Sequence, residues 1–407
     1  MVEKVLIIAV HKKMSDEDRL YYSLEELKSL TESAKGTVVE TLIQKRDRAH
    51  PATYIGKGKM EELNELIEEL EVDLIIANDE LSSSQMRNLH EQLEIPIIDR
   101  SQLILDIFAQ RAHTREGKLQ VELAQYKYML PRLHGQGASL SRLGGGIGTR
   151  GPGETKLETD KRHINRRIDE VKEKLETVVN QRSQYRKHRK TNKAFQIAIV
   201  GYTNAGKSTL FNRLTKSDSM EEDQLFATLD PMSRQMQFPI GLQSIVTDTV
   251  GFMQDLPTAL IAAFRSTLEE VREADFIYHV IDVNHPDYPQ HYETVQKLLK
   301  DLDADKIPSL MIYNKKDLLT TGFIPSVHPS ILISALNQED QNKTLLKTQE
   351  ILKEQWVFYE KIISATEGKR LLSFRNYTLM TKQEFNEDEE TYLVQGYMPD
   401  GHPLQYS

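Results

Sequence analysis

The sequence predicts a multidomain α/β protein, and three observations carry that prediction. Apolar, strand-like runs alternate with amphipathic helical stretches over about the first 100 residues, and the same alternation returns over 193–357. Between these blocks lie two long helical stripes joined by a glycine-rich segment. The stretch Gly201-Tyr202-Thr203-Asn204-Ala205-Gly206-Lys207-Ser208 fits the phosphate-loop pattern GxxxxGK[ST] without a gap, after an apolar strand and before a helix. At 407 residues the chain exceeds one ordinary core. The expected division is an N-terminal α/β domain over 1–100, a helical hairpin arm over 101–192 with its tip at 131–154, a P-loop domain over 193–357 and a small α+β domain over 358–407.

Composition narrows the class. Hydrophobic residues make up 39% and charged residues 28% of the chain, with a negative mean hydropathy, the balance of a globular protein rather than of a membrane or disordered one. No apolar run approaches the roughly 20 residues of a spanning helix. Met1-Val2-Glu3-Lys4 leads into a strand and not into a signal peptide, so no membrane span and a cytoplasmic location are expected. The lack of cysteine excludes disulfides and thiolate metal sites. A net charge of −9 argues against indiscriminate coating of nucleic acid, while leaving room for a local basic surface.

In the N-terminal block, strands are expected at Lys4–Val10, Thr37–Ile43, Asp73–Ala77 and Ile95–Asp99, with helices from Asp16 to about Ser33, Met60 to Leu70 and Ser84 to Leu93. This alternation predicts a mostly parallel sheet covered by helices. The turn holding Gly56-Lys57-Gly58-Lys59 precedes the second helix. Two readings stand for it: an anion site for a phosphate of RNA or of a second nucleotide, or a tight solvated βα turn.

From Ser101 the pattern changes to long helices. Leu119, Leu123, Tyr126 and Leu130 make one apolar stripe, and Leu157, Ile164, Ile168, Val171, Leu175 and Val178 make another. Matching stripes predict an antiparallel hairpin. The joining segment carries Gly135, Gly137, Gly144, Gly145, Gly146, Gly148, Gly151 and Gly153 with Arg132, His134, Arg142 and Arg150, and no acid before Glu154. It is either a disordered linker or a basic tip that becomes ordered on a polyanion. The second helix ends in the basic run Arg182–Lys190, which would mark the same arm as an RNA-binding surface.

The P-loop domain begins with the strand Phe195–Val200. Its glycines let backbone N–H groups turn onto β- and γ-phosphate oxygens, Lys207 adds a point charge, and Ser208 offers a hydroxyl to Mg²⁺ at the start of the helix that continues through Thr209. Thr228, in Leu225-Phe226-Ala227-Thr228-Leu229-Asp230, is the candidate switch threonine for Mg²⁺ and the γ-phosphate. Asp248-Thr249-Val250-Gly251 follows a strand and matches DxxG, with Asp248 acting on Mg²⁺ through a water and the Gly251 N–H reaching the γ-phosphate. Strands at Phe276–Asp282 and Ser309–Tyr313 follow, and the second runs into Asn314-Lys315-Lys316-Asp317. There an aspartate accepts from both the ring N–H and the exocyclic amine of guanine, a pairing that adenine does not offer. Asn314 would tie the loops together, the Lys315 stem would cover the ring, and the backbone of Ser334 and Ala335 would meet the guanine oxygen.

These motifs in order resemble TRAFAC-class GTPases with a Ras-like G domain, and the whole chain resembles the HflX family of ribosome-associated GTPases. The resemblance rests further on Gly56-Lys57-Gly58-Lys59, Ile98-Asp99-Arg100, Leu105-Asp106-Ile107-Phe108-Ala109, Leu119-Gln120-Val121-Glu122-Leu123-Ala124, the run from Gly144 to Gly148 into Gly151-Pro152-Gly153-Glu154, and Asp248 to Phe252. It implies a GTPase that binds GTP and GDP with Mg²⁺ and contacts the large ribosomal subunit and its RNA. Its N-terminal half would reach towards the peptidyl-transferase centre, and it would split or rescue stalled ribosomes under stress.

The expected reaction is Mg²⁺-dependent hydrolysis of GTP, with Lys207, Thr228 and Gly251 acting on the γ-phosphate in a monomer. Phe252 stands where many relatives of this superfamily carry a water-orienting glutamine, so hydrolysis is expected to be slow alone and completed in trans; packing under the switch is compatible with that reading. After Ser334, Asn337 to Gln341 lacks the glycine that many relatives carry, which leaves the geometry of the base contact open. Three alternatives remain: an RNA-binding assembly factor with little turnover, an ATP-dependent RNA-remodelling enzyme using the N-terminal turn, and a metabolic kinase, which would leave Asn314 to Asp317 without a purpose.

Overall fold

The computed structural model describes residues 2–12, 17–133, 156–191, 194–216, 226, 230–254 and 268–406, with the backbone alone for 156–157 and 182–191. They form two compact units, one of residues up to Asn180 together with Phe226, the other of residues from Gln181 onward.

The first unit opens with β1 (Lys4–Lys12), α1 (Glu17–Ser33), β2 (Thr37–Arg46), α2 (Lys57–Leu70), β3 (Leu74–Ala77), α3 (Ser83–Gln92), β4 (Ile97–Asp99) and α4 (Arg100–Arg111). The strands pair in the order β2-β1-β3-β4, all parallel. Helices cover both faces of such a sheet, so a central strand reads as one unbroken apolar run. Accordingly β1 buries every residue from Val5 to His11.

Local chemistry sets the helix starts. At α3, Ser82 and Gln85 form a reciprocal capping box. At α4 the cap is Asp99, the last residue of β4, whose carboxylate accepts the N–H groups of Gln102 and Leu81 at 2.9 Å each. Helix α4 buries seven of its twelve residues, and Arg100 bonds to the Ser23 carbonyl and to Glu26 of α1. Phe226 is buried edge-to-face on Phe108 of α4, ring centroids 4.5 Å apart.

Two long helices follow, α5 (Arg115–Arg132) and α6 (Lys156–Thr191). Their stripes meet in one buried cluster of Leu119, Leu123, Ile164, Ile168 and Val171, flanked by Tyr126, Leu130, Leu175 and Val178. Leu157 and the basic run Arg182–Lys190 lie outside the described side chains, and the tip from His134 to Lys156's predecessor Thr155 lies outside the described residues. Arg132 differs from the sequence reading. Its guanidinium bonds to Glu80 at 3.0 Å, Asp99 at 3.3 Å and the Leu81 carbonyl at 2.9 Å, and lies 3.5 Å over the Tyr128 ring. A charge held by two carboxylates and a ring ties down the end of α5 and is spent within this unit.

The second unit contains β5 (Phe195–Gly201), α7 (Lys207–Thr215), β6 (Met232–Gln237), β7 (Gln243–Asp248), β8 (Phe276–Asp282), α8 (Tyr288–Asp301), β9 (Ser309–Asn314), β10 (Ser330–Leu332) and α9 (Gln338–Gln355). The sheet order is β10-β9-β8-β5-β7-β6, parallel except for β6, which runs antiparallel to β7. Strand β6 is absent from the sequence reading because it is an edge strand of mostly exposed polar residues and offers no apolar run. Side chains alternate across β5: Phe195, Ile197 and Ile199 enter one core with Phe211 and Ile312, while Ala198 and Val200 enter another with Val295 and Leu299.

The chain ends with β11 (Val357–Ser364), α10 (Gly368–Tyr377), β12 (Leu379–Asn386) and β13 (Thr391–Met398), a three-stranded antiparallel sheet with one helix packed through Phe374. The fold is therefore the mixed α/β, multidomain arrangement that the alternation predicts. Among the described residues no helix is long and apolar enough to cross a membrane.

Candidate functional site

In a parallel α/β sheet the loops leaving the carboxyl ends of the strands converge, and ligands bind there. The carboxyl ends of β5, β7, β9 and β10, with the loops that leave them and the first turn of α7, carry all of the expected site residues outside Thr228. Thr228 lies outside the described residues.

The loop Gly201–Gly206 leaves central β5 and enters α7 at Lys207. Gly206 caps this helix at φ +89°, and no side chain caps it. A Cβ at Gly206 would lie 2.2 Å from Asn314 Nδ2, so both the turn and the close approach require glycine. Tyr202, Thr203 and Ala205 are buried, Asn204 is exposed at φ +57°, and Thr209 is half-buried in the first turn of α7.

Lys207 is 6% exposed, and its Nζ donates to the Tyr202 carbonyl at 2.8 Å. Its ammonium is brought down to about 8: burial lowers it most, the Asp248 carboxylate offsets part of that, and the nearby Lys315 charge adds to the lowering. Gly251 sits close against it: a Cβ there would lie 3.2 Å from Lys207 Nζ and 3.0 Å from Thr203 Cα. Ser208 Oγ donates to Asp248 Oδ2 at 2.7 Å, and Asp248 is fully buried at the end of β7. A hydroxyl and a carboxylate meeting beside a helix N-terminus are hard oxygen donors, the set that suits a small divalent cation keeping several of its waters.

Asn314 joins two loops. Its Nδ2 donates to the Ala205 carbonyl at 2.9 Å, and its Oδ1 accepts the Ala335 N–H at 2.9 Å. Lys315 pairs with Asp282 at 2.8 Å, and Asp317 stands exposed in the 3₁₀ turn Lys316–Leu318. Ser334 and Ala335 are both buried. The sequence reading does not include Asp340. This buried carboxylate accepts the Ser334 N–H at 2.9 Å and Lys316 Nζ at 2.6 Å, and it fixes the loop that lacks a glycine. Its one sequence signal is position: it lies three residues after Asn337, the N-cap of α9, whose side chain accepts the Glu339 and Asp340 N–H groups. Asp282, which the sequence marks only as the end of a strand, is the partner that holds Lys315.

Phe252 is 2% exposed and its ring sits in the core with Ala198, Val200, Val295 and Leu299. An apolar ring in that position orients no water. In the first unit, the Gly56 N–H donates to Gln44 at 2.8 Å, Lys57 is exposed, and Lys59 pairs with Glu62 at 2.8 Å.

Comparison with known proteins finds matches along nearly the whole chain. Residues 21–109 match the family described as "GTP-binding GTPase N-terminal", residues 111–189 "GTP-binding GTPase Middle Region", and residues 196–315 "50S ribosome-binding GTPase". The chain is 56% identical over 397 residues to a protein of Alkalihalophilus pseudofirmus named GTPase HflX, covering 97% of this chain and 94% of that one. It is 52% identical over 337 residues to the GTPase HflX of Caldanaerobacter subterraneus, covering 83% and 77%. Among solved structures, a GTP-binding protein of Sulfolobus solfataricus in complex with GDP aligns over 86% of this chain and 99% of its own, at 24% identity and a TM-score of 0.46.

Proposed function

The chain belongs to the HflX family of GTPases, and from that premise we propose that it is a GTP-driven switch acting on the large ribosomal subunit, splitting or rescuing stalled ribosomes under stress. The observation that carries the nucleotide chemistry is the convergence of buried Lys207, the Ser208–Asp248 pair and the Asn314-tied loops at one end of one sheet.

The reaction is hydrolysis of GTP by in-line attack of water on the γ-phosphorus, giving GDP and phosphate. Lys207 neutralises charge that spreads over the phosphate oxygens in the transition state. Gly251 presents its N–H to the γ-phosphate, and Thr228, which lies outside the described residues, is the candidate switch threonine for the same phosphate. Ser208 and Thr228 would hold Mg²⁺, with Asp248 acting through one of its waters, and the ion would supply neutralisation of phosphate charge. Asp317 accepts from guanine, the Lys315 stem lies on the ring, and Ser334 with Ala335 faces the guanine oxygen. Buried Phe252 supplies no group that orients water, so intrinsic turnover is slow and the missing element comes in trans from the ribosome. This supports a switch that discharges on its target. The family description "50S ribosome-binding GTPase", matched over residues 196–315, and the hairpin of α5 and α6 support contact with the large subunit and its RNA.

Multiple-turnover hydrolysis of GTP and of ATP, with and without purified large subunits and alongside Lys207→Ala, tests the reading. Strong stimulation for GTP alone, lost in the variant, is expected. Nucleotide binding without stimulated turnover would point instead to an assembly factor, and ATP hydrolysis that survives Lys207→Ala would point to a remodelling enzyme.

A further inference from the structure

The phosphate loop and the segment after Gly251 continue to pair beyond the end of their strands. Strands β5 and β7 pair in parallel up to Ile199 and Asp248, and an isolated parallel bridge then joins Tyr202 to Phe252. Two backbone bonds make it: Phe252 N–H to the Gly201 carbonyl at 3.2 Å, and Thr203 N–H to the Phe252 carbonyl at 2.6 Å. A third bond extends it by one step, in which the Gln254 N–H donates to the Tyr202 hydroxyl at 2.8 Å. A side-chain oxygen here does what the next backbone carbonyl does in a strand.

For that oxygen to hold a backbone N–H, the ring carrying it must itself be held. The Tyr202 ring stacks on His291 of α8, with centroids 3.6 Å apart and planes 5° from parallel. His291 in turn packs on His285, centroids 4.3 Å apart, and His285 Nδ1 accepts the Asp287 N–H at 3.1 Å. Helix α8 is anchored through Val295 and Leu299 in the same core that takes the Phe252 ring. Both the side chain and the backbone of Phe252 are thus referred to one rigid element. Burial and the neighbouring His285 hold the His291 imidazole down to about 3, so the stack joins two neutral rings throughout the neutral range.

We infer that Tyr202, held by His291, is a positioning residue for GTP hydrolysis, which sets the backbone after Gly251 and thereby aims the Gly251 N–H at the γ-phosphate. Catalysis by preorganised backbone donors depends on how closely the donor is held to its place. Without a water-orienting side chain at Phe252, backbone placement is what this loop offers the reaction.

The test is single-turnover hydrolysis by the full chain at saturating GTP without ribosomes, which depends on the GTPase activity and not on the ribosomal role. Tyr202→Phe keeps the ring and removes one hydrogen bond, so the rate should fall about fivefold, the kinetic equivalent of one ordinary hydrogen bond. GDP affinity should stay within about twofold, because the lost hydrogen bond lies outside the nucleotide contacts, and the thermal midpoint should fall by no more than about 2–4 °C, the cost of one ordinary hydrogen bond in a unit of this size. Hydrogen exchange at the Gln254 amide should speed up. His291→Ala should lower the rate similarly, and His291→Phe, which restores a stacking ring, should recover it. A rate that is unchanged or higher in Tyr202→Phe overturns the proposal. So does a fall in rate, GDP affinity and melting temperature together, or a His291→Phe variant as slow as His291→Ala.

Discussion

Two turns in this chain combine glycine and lysine at the start of a helix on a parallel sheet, and they differ in almost every physical respect. At Gly206-Lys207 the glycine has φ +89°, a Cβ would collide with Asn314, and the lysine is buried with its ammonium on its own loop's carbonyl. At Gly56-Lys57-Gly58-Lys59 the first glycine has φ −82° and a Cβ there would meet the end of the flexible Arg46 side chain at 2.3 Å, a Cβ on Gly58 would meet nothing within 4 Å, and Lys57 is exposed. Glycine required by geometry and lysine driven into the interior mark a cradle built around a charge. Where no glycine has a positive φ and the first lysine is exposed, the same letters lack those two marks.

Substitution of the two lysines should separate the turns most strongly. Lys207→Ala is expected to lower GTP hydrolysis by about 10²–10³-fold, the usual cost of removing one donor to developing charge. Lys57→Ala should leave it within about twofold, as a solvent-facing charge makes no comparable contact. Equal losses would break the comparison.

If Asp317 is the guanine partner proposed above, Asp317→Asn should cost about 10–100-fold in GTP affinity and move preference to xanthine nucleotides, because a base donor is left facing another donor. Competition binding with GTP and XTP reads this out, and unchanged selectivity would remove Asp317 from the role.

The glycines should then diverge in sign. Gly206→Ala forces a left-handed alanine, costing about 1–2 kcal/mol, and displaces Asn314 from its bond to Ala205. Gly58→Ala replaces an unconstrained glycine within α2 and should stabilise the first unit by about 0.5–1 kcal/mol. Urea titration of each variant provides the comparison, and the lone tryptophan, Trp356, reports on the second unit through its contact with Phe195.

The smallest effect is a pH dependence confined to the buried lysine. Ligand-free Lys207 titrates near 8, and bound phosphate stabilises its charged form. Below 8 the ammonium is already charged, whereas above it binding must take up a proton. GDP affinity should therefore weaken about tenfold between pH 7 and pH 9, with proton uptake visible by calorimetry in buffers of different ionisation enthalpy. The sign for stability is opposite: the unfolded chain holds this proton between about 8 and 10.5, so the ligand-free second unit gains stability as pH rises through that window. A flat GDP affinity across this range would mean that Lys207 keeps its proton when the site is free.

Much of the fold was legible because its signals are local. Continuous apolar runs such as Val5 to Val10 and Ile197 to Val200 mark strands covered on both faces, and the stripes on α5 and α6 announce their shared seam. Strand β6 was hidden because an edge strand with an exposed face needs no apolar pattern. Arg132 looked like part of a basic tip because charge counted along a chain does not say which carboxylates the fold will bring to it.

By itself, the sequence determined the α/β alternation, the order of the motifs and the identity of the residues at the strand ends, since each is written in a run of a few neighbouring side chains. Only the tertiary structure decided which of them meet: Ser208 with Asp248, Asn314 with both Ala205 and Ala335, Ser334 with Asp340, Lys315 with Asp282, and Tyr202 with His291 and Gln254. These partners come from different strands and helices, and parallel pairing in the order β10-β9-β8-β5-β7 brings their loops to one end of the sheet. Local propensity acts over a turn or two of chain, whereas burial and hydrogen-bond pairing act through space once the sheet has formed.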